Sequence, residues 1–228
     1  MAKRRGTEVS TKFLSINPQY EEEVLEVYAI LTEEVEDLQL KQLRTVFKRL
    51  QIPKCFTADI LQSIDHFYES NGTLIKHRTP KSDIVLHMVT TFTISSRLVN
   101  DSDIIDIVDV DKLISYTSKL LYYRDNYTHI KNTWRLFVET VLGSAPSVSE
   151  LLEFKLNLVD LKKIKSVLGL DGSGKDTLSD VLLIDMLSCC SSDESGTIYN
   201  FDFSRATHGL FINIKDFACI LGNLGEYD

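Results

Sequence analysis

Apolar residues spaced three and four positions apart run through most of this chain, and this spacing predicts helices. Three such segments stand before residue 71. The first spans Gln19 to Leu31, the second stops at Pro53, and the third begins after Thr57, a favourable N-cap, and ends at Asn71-Gly72. Their apolar positions are Val24, Leu25, Tyr28 and Leu31, then Leu40, Leu43, Val46, Phe47 and Leu50, then Ile60, Leu61, Ile64 and Phe67.

Residues 71–104 interrupt this rhythm. The stretch from Ile84 to Leu98 is apolar and rich in threonine and isoleucine, so helix and strand compete there. A further helix follows Val108-Asp109-Val110-Asp111, with apolar positions at Leu113, Ile114, Leu120 and Leu121. We interpret 71–104 as an insertion, and we place the boundary between two halves of the chain at about residue 124.

The second half repeats this plan. Its four predicted helices have apolar positions at Ile130, Trp134, Phe137, Val138 and Val141, at Leu158, Leu161, Ile164, Val167 and Leu168, at Leu178, Val181, Leu182, Met186 and Cys189, and at Ile214, Phe217, Ile220, Leu221 and Leu224. A long polar loop at 191–209 precedes the last helix. We interpret Trp134 and Phe137 as core residues. Four helices with an overlong connection before the fourth occur twice, which indicates an internal repeat.

The end of the chain is typical of the second half of an EF-hand, because a β-prone segment at 210–212 runs into a helix. A calcium loop needs regularly spaced oxygen ligands and a glutamate at its twelfth position. Residues 204–209 contain no carboxylate, and the loop-like segment at 171–176 has Lys175 at a ligand position. We therefore predict an all-α fold of two EF-hand-like lobes with degenerate loops that bind no metal. The predicted parts are a flexible leader at 1–18, a lobe at 19–124 with an insertion at about 71–104, and a lobe at 125–228 with a long loop at about 191–209.

Charge and cysteine usage narrow the possible partners. The net charge is −8, and eight acidic residues between 21 and 37 occur without a lysine or arginine among them. Such a surface repels phosphates, so direct nucleic-acid binding is disfavoured. No apolar run has the length of a membrane span, and the start of the chain lacks a signal-peptide core. The four cysteines form no CxxC pair, which is typical of reduced thiols in an intracellular protein.

A nucleotide-binding enzyme is the less favoured alternative. Residues 169–175 match G-x-x-x-x-G-K, but helical periodicity precedes them and Asp176 follows where a serine or threonine would hold magnesium. The five histidines are scattered along the chain, without an HExxH or GxSxG pattern. We therefore predict a binding protein with no catalytic residues and no cofactor.

Several segments in the same order carry a family resemblance, at 23–29, 47–51, 158–164, 210–211 and 216–225. Over most of 20–225 the chain resembles a small group of budding-yeast nucleotide-excision-repair accessory proteins, which are diverged relatives of centrin. The resemblance implies a protein of the nucleus, with the cytoplasm as a second location, that binds the xeroderma-pigmentosum-group-C-type damage-recognition protein. The resemblance implies binding to a short amphipathic helix of the partner, as centrin binds, and we predict a monomer within a hetero-complex.

We predict that the second lobe receives this helix in a hydrophobic groove, and that the groove residues would also be core residues. The predicted set is Leu161, Ile164, Leu168, Leu182, Met186, Phe217, Ile220 and Leu224. Because the loops lack calcium ligands, binding is expected to be independent of ions. The alternative is a centrin-like cytoskeletal role at spindle poles.

Overall fold

The computed structural model describes residues 15–33, 35–70, 79–95, 104–170, 178–189, 201–205 and 209–227. Within these ranges the chain forms ten α-helices, and its β-pairing is limited to isolated bridges. The fold is all-α, as the periodicity predicts. In chain order the helices are α1 (Pro18–Thr32), α2 (Leu43–Arg49), α3 (Ala58–Glu69), α4 (Pro80–Phe92), α5 (Val110–Asp125), α6 (Tyr127–Leu142), α7 (Val148–Glu153), α8 (Leu158–Val167), α9 (Asp180–Cys189) and α10 (Ile214–Asn223).

Helix α4 resolves the stretch where helix and strand compete in the sequence. Thr79 caps the helix, because its Oγ1 accepts from the Ser82 amide at 3.1 Å and Ser82 Oγ accepts from the Thr79 amide at 3.3 Å. Pro80 occupies the first helical position, where its fixed φ is favourable. Burial of one face, including Met88 and Phe92, then outweighs the strand preference of the threonines. The segment interpreted as an insertion therefore supplies a core helix.

A six-residue pattern recurs where four helices begin, at 38–43, 108–113, 156–161 and 212–217. Each copy reads apolar, then Gln, Asp or Asn, then apolar, two variable residues and a last apolar residue. The copies join in pairs through extended backbone. Leu156 and Ile212 exchange two backbone hydrogen bonds of 2.8 Å, and the Val108 amide donates to the Leu38 carbonyl oxygen at 2.7 Å. The first copy thus pairs with the second, and the third pairs with the fourth.

The side chain of the fifth residue of the pattern bonds to the backbone in every copy. Gln42, Asp160 and Asp216 each use a side-chain oxygen to accept from the amide three residues earlier, at 2.7, 2.9 and 2.9 Å. Lys112 differs, because its Nζ donates to the carbonyl oxygens of Thr90, Thr93 and Ser95 at 3.0, 2.5 and 3.3 Å. Lys112 therefore caps the C-terminal end of α4.

The prediction that Trp134 belongs to the core of the second half is confirmed. The side chain is fully buried, and its Nε1 donates to the Leu151 carbonyl oxygen at 2.8 Å. Its ring centroid lies 5.3 Å from that of Phe217, and the Phe137 ring lies 5.2 Å from the same phenylalanine. Leu151 comes from α7, a short helix that the apolar spacing does not predict.

The end of the predicted polar loop at 191–209 supplies a residue of the core. Phe201 is fully buried, with its ring centroid 5.8 Å from that of Tyr116 and 6.3 Å from that of Phe92. Ser63 Oγ donates to the Phe201 carbonyl oxygen at 3.3 Å. Phe201 lies in a short segment without helical periodicity, yet its side chain fills a site in the first half of the chain.

A buried ion pair also joins the two halves. Lys215 Nζ donates to both carboxylate oxygens of Asp59, at 3.0 and 2.9 Å, and the two side chains are 7% and 10% exposed. Asp59 Oδ2 also accepts from the Phe201 amide at 3.0 Å. Burial is the largest single effect and disfavours the charged ammonium, but the interactions with the Asp59 carboxylate and with Tyr116 together outweigh it, and the pKa of Lys215 is raised. The halves therefore share one continuous core.

Some sequence predictions fall outside the described residues. They are the leader up to residue 14, the parts of the predicted insertion at 71–78 and 96–103, the segment 171–176 with most of the G-x-x-x-x-G-K match, and the parts of the polar loop at 191–200 and 206–208.

Candidate partner-binding surface

Helix α9 carries apolar side chains around most of its circumference. Val181 to Ile184, Met186 and Leu187 cover roughly 260° of arc at 3.6 residues per turn. Leu183 and Leu187 are buried, at 3% and 2% exposure, whereas Leu182, Ile184 and Met186 are 43–44% exposed and Val181 is 67% exposed. A helix on the surface of a globular protein needs an apolar stripe of only about 100°. Helix α9 therefore presents exposed apolar strips on both sides of its buried stripe.

Contacts with α8 fix the orientation of α9. Asp180, at the start of α9, lies 2.8 Å from Lys162 Nζ and 3.6 Å from Lys165 Nζ. The hydrogen bond from Lys162 lowers the pKa of the Asp180 carboxyl, so this carboxyl is charged at neutral pH. Ser179 Oγ accepts from the Leu182 amide at 3.2 Å, which caps the helix.

The eight predicted groove residues fall into two groups. Leu161, Ile164 and Phe217 are buried at 7–8% exposure, and Ile220 is half-buried. The remaining four are exposed, with Leu168 at 62%, Leu182 at 43%, Met186 at 44% and Leu224 at 50%. The expectation that all eight would be core residues is wrong for these four. Leu168 and Leu224 are the C-caps of α8 and α10, and Leu182 and Met186 flank the buried stripe of an outer helix.

The sequence analysis missed further exposed apolar residues in this half. Val159 and Val167 on α8 are 74% and 64% exposed, and Val181 and Ile184 belong to the same set on α9. The available signal was the excess of apolar residues in α9 over what one helix face requires. We use the term "α9 surface" for Val181, Leu182, Ile184 and Met186.

Other chemistry is sparse in the part of the chain that the structure describes. There, no group of three or more His, Cys, Asp and Glu side chains is arranged to hold a metal ion. Likewise, none of the helices within the described ranges is long and apolar enough to cross a membrane. Burial raises the pKa of the Cys55 thiol to about 12, which leaves little of the nucleophilic thiolate at neutral pH.

The fold and the α9 surface together define an all-helical protein that presents an exposed apolar helix. Comparison with known proteins adds that residues 10–173 match the Rad33 family, so the chain belongs to that family. The matched region contains α1 to α8 and ends before α9.

One similar protein is the DNA repair protein RAD33 of Saccharomyces cerevisiae, which is 29% identical over 135 residues. The alignment covers 57% of this chain and 64% of the length of the yeast protein. No solved structure matches this chain.

Proposed function

We propose that this chain is a non-enzymatic accessory protein of nucleotide-excision DNA repair that acts in the nucleus. It binds and stabilises the damage-recognition protein by accepting an amphipathic helix of that protein on the α9 surface. The observation that carries this proposal is the apolar circumference of α9, of which only one stripe is covered within the described residues. The printed name of the yeast relative, a DNA repair protein, supports the assignment to repair.

The proposal includes a fold of two EF-hand-like lobes. In an EF-hand, positions 9 and 12 of the calcium loop are three residues apart and lead into the second helix. The six-residue pattern has the same spacing, and its backbone bridges pair the copies within each half. At the position of the ligand glutamate, Asp160 and Asp216 cap their own helices and Lys112 binds three carbonyl oxygens. These side chains are engaged without calcium, so each lobe keeps one geometry.

The strength of the interaction can be estimated from exposure. Leu182 and Met186 are each a little over 40% exposed, and full burial of such a side chain contributes about 1.5–3 kcal/mol. Covering both on binding therefore contributes about 2 kcal/mol, or roughly 30-fold in affinity. Such an apolar contact needs no ion, so binding is constitutive.

The test is isothermal titration of the full chain with the intact damage-recognition protein of the same organism. The Leu182→Ser/Met186→Ser variant should bind about 30-fold more weakly. Leu136→Ser/Val148→Ser removes two apolar residues of α6 and α7, which are 64% and 57% exposed, and serves as the control. Equal losses in both variants would contradict the proposed surface. So would loss of binding in EDTA.

The nuclear role is tested separately. A tagged chain should localise to the nucleus, and a strain lacking the gene should be sensitive to ultraviolet light. Localisation to spindle poles with normal ultraviolet resistance would instead support a cytoskeletal role.

A further inference from the structure

A large open cleft separates the two halves on one side of the molecule. Its volume is about 1400 Å³, and its walls come from α2 and α3 of the first half and from α7 and the start of α10 in the second. Leu61, Leu152 and Ile214 supply apolar lining. Sites for small molecules usually occupy 300–1,000 Å³. The cleft is larger than this range, and its size therefore suits a segment of polypeptide chain.

Ion pairing leaves this cleft with available positive charge. Three of its carboxylates are neutralised by its own cations: Asp59 by Lys215 at 2.9 Å, Asp65 by Arg44 at 3.0 Å and Asp202 by Lys155 at 2.8 Å. Lys48 and Lys54 also line the cleft, and neither forms an ion pair with any described residue. Glu153 is the remaining acidic residue of the lining. The free charge in the cleft is thus positive.

The start of α3 adds donors to the same wall. Thr57 stands at the N-cap, but its side chain accepts no hydrogen bond from the first turn of this helix. Thr57, Ala58 and Asp59 all line the cleft. The amides of a first helical turn carry a partial positive charge and bind carboxylates. Since the Asp59 carboxylate is engaged by Lys215, it does not serve these amides.

The negative charge of the protein does not cancel this potential. The eight acidic residues between 21 and 37 equal the net charge of −8, and the rest of the chain has 25 acidic and 25 basic residues. None of those eight residues lines the cleft. Exposed charges are screened with distance at physiological salt, so the charges of the lining contribute most to the local potential.

We propose that the cleft between the halves binds an acidic, leucine-containing peptide segment of a partner protein. Carboxylates of the segment lie between Lys48, Lys54 and the first turn of α3, while its apolar side chains cover Leu61 and Leu152. Single-stranded nucleic acid fits less well, because such grooves combine many cations with stacked aromatic rings, and Phe47 is the aromatic residue of this lining. The site is separate from the α9 surface and does not depend on the proposed function.

The probe for this proposal is a fluorescein-labelled eight-residue peptide that alternates glutamate and leucine, titrated into the full chain by fluorescence anisotropy. Ala58→Glu places a carboxylate in the first turn of α3, where it competes with the peptide. Ala58→Gln is the matched neutral control. We expect Ala58→Glu to bind the peptide about fivefold to tenfold more weakly than Ala58→Gln does, and to melt no lower than Ala58→Gln does.

A second pair of variants tests the lysines. Lys48→Gln/Lys54→Gln should weaken peptide binding by about fivefold, whereas Lys41→Gln/Lys81→Gln, which removes two lysines that do not line the cleft, should leave it unchanged. Equal binding by the two Ala58 variants would overturn the proposal. It would also be overturned by equally tight binding of a glutamine–leucine peptide, by a matching loss in Leu182→Ser/Met186→Ser, or by an oligonucleotide that displaces the acidic peptide.

Discussion

The ion pair between Asp59 and Lys215 should contribute strongly to stability. In Asp59→Asn the ammonium of Lys215 stays buried with no carboxylate beside it, while the asparagine oxygen still accepts from the Phe201 amide. Breaking a buried pair in this way costs about 3–5 kcal/mol. For a chain of this size, each kcal/mol lowers the melting temperature by about 2–4 °C. We therefore expect a decrease of about 6–20 °C.

The double variant Asp59→Asn/Lys215→Met distinguishes the cost of an unpaired buried charge from the cost of changing the side chains themselves. It removes both charges, and the methionine keeps an apolar chain in the place of the lysine, whose Nζ lies 5.4 and 5.6 Å from the ring centroids of Tyr116 and Phe201. Replacing a buried ion pair by uncharged groups often changes the stability little, so we expect the free energy of unfolding to fall by no more than about 2 kcal/mol.

The measurement is urea unfolding, monitored by the fluorescence of Trp134 and by circular dichroism at 222 nm. The reasoning would be refuted if the double variant cost as much as Asp59→Asn and the single variant Lys215→Met added together. A single-variant cost under about 1 kcal/mol would refute it as well, because an exposed pair costs that little.

Three further predictions concern stability. Phe201→Ala should lower the free energy of unfolding, measured in urea, by about 3–5 kcal/mol. Phe203→Ala should lower it clearly less, because Phe203 is half-buried. Equal decreases would contradict the described packing of Phe201. Lys112→Met should lower the free energy of unfolding by about 1–3 kcal/mol, because the carbonyl oxygens at the end of α4 lose their donor. A decrease under about 0.5 kcal/mol, typical of a surface change, would contradict the role of Lys112 as a cap. Burial raises the pKa values of Tyr116 and Cys55 to about 12, above their values in the unfolded chain. The stability that these two protonated groups contribute is therefore fully present below about pH 8 and is lost as the pH rises toward 12. An unchanged urea midpoint at pH 10.5 would contradict this.

Sequence periodicity was sufficient for most of the helices because each of them buries one regular stripe. Helix α4 was ambiguous because its threonines favour strands, and the cap at Thr79 and the burial of Phe92 decided the outcome. Helix α7 has six residues, too few for periodicity to be visible. The recurring six-residue pattern is present in the sequence, and the backbone bridges add which of its copies pair with each other.

The candidate surface was predicted in part. Periodicity assigned Leu182 and Met186 to an apolar face, but it could not show that α9 is an outer helix with its partners on one side. Exposure depends on which neighbours reach a helix, and those neighbours are distant in sequence. For the same reason the cleft was not predicted, since its walls come from segments about 100 residues apart.

The position of Phe201 in the chain has a consequence for synthesis. Its contacts with Asp59 and Ser63 span 142 and 138 residues. At 5–20 residues per second, roughly 7–30 s pass between translation of the two sides. Once Phe92 and Tyr116 have been translated they line an empty site until Phe201 follows, and the first half of the nascent chain cannot complete its core before then. Folding of this half therefore has to wait for the second, and the growing polypeptide is an expected client of ribosome-associated chaperones.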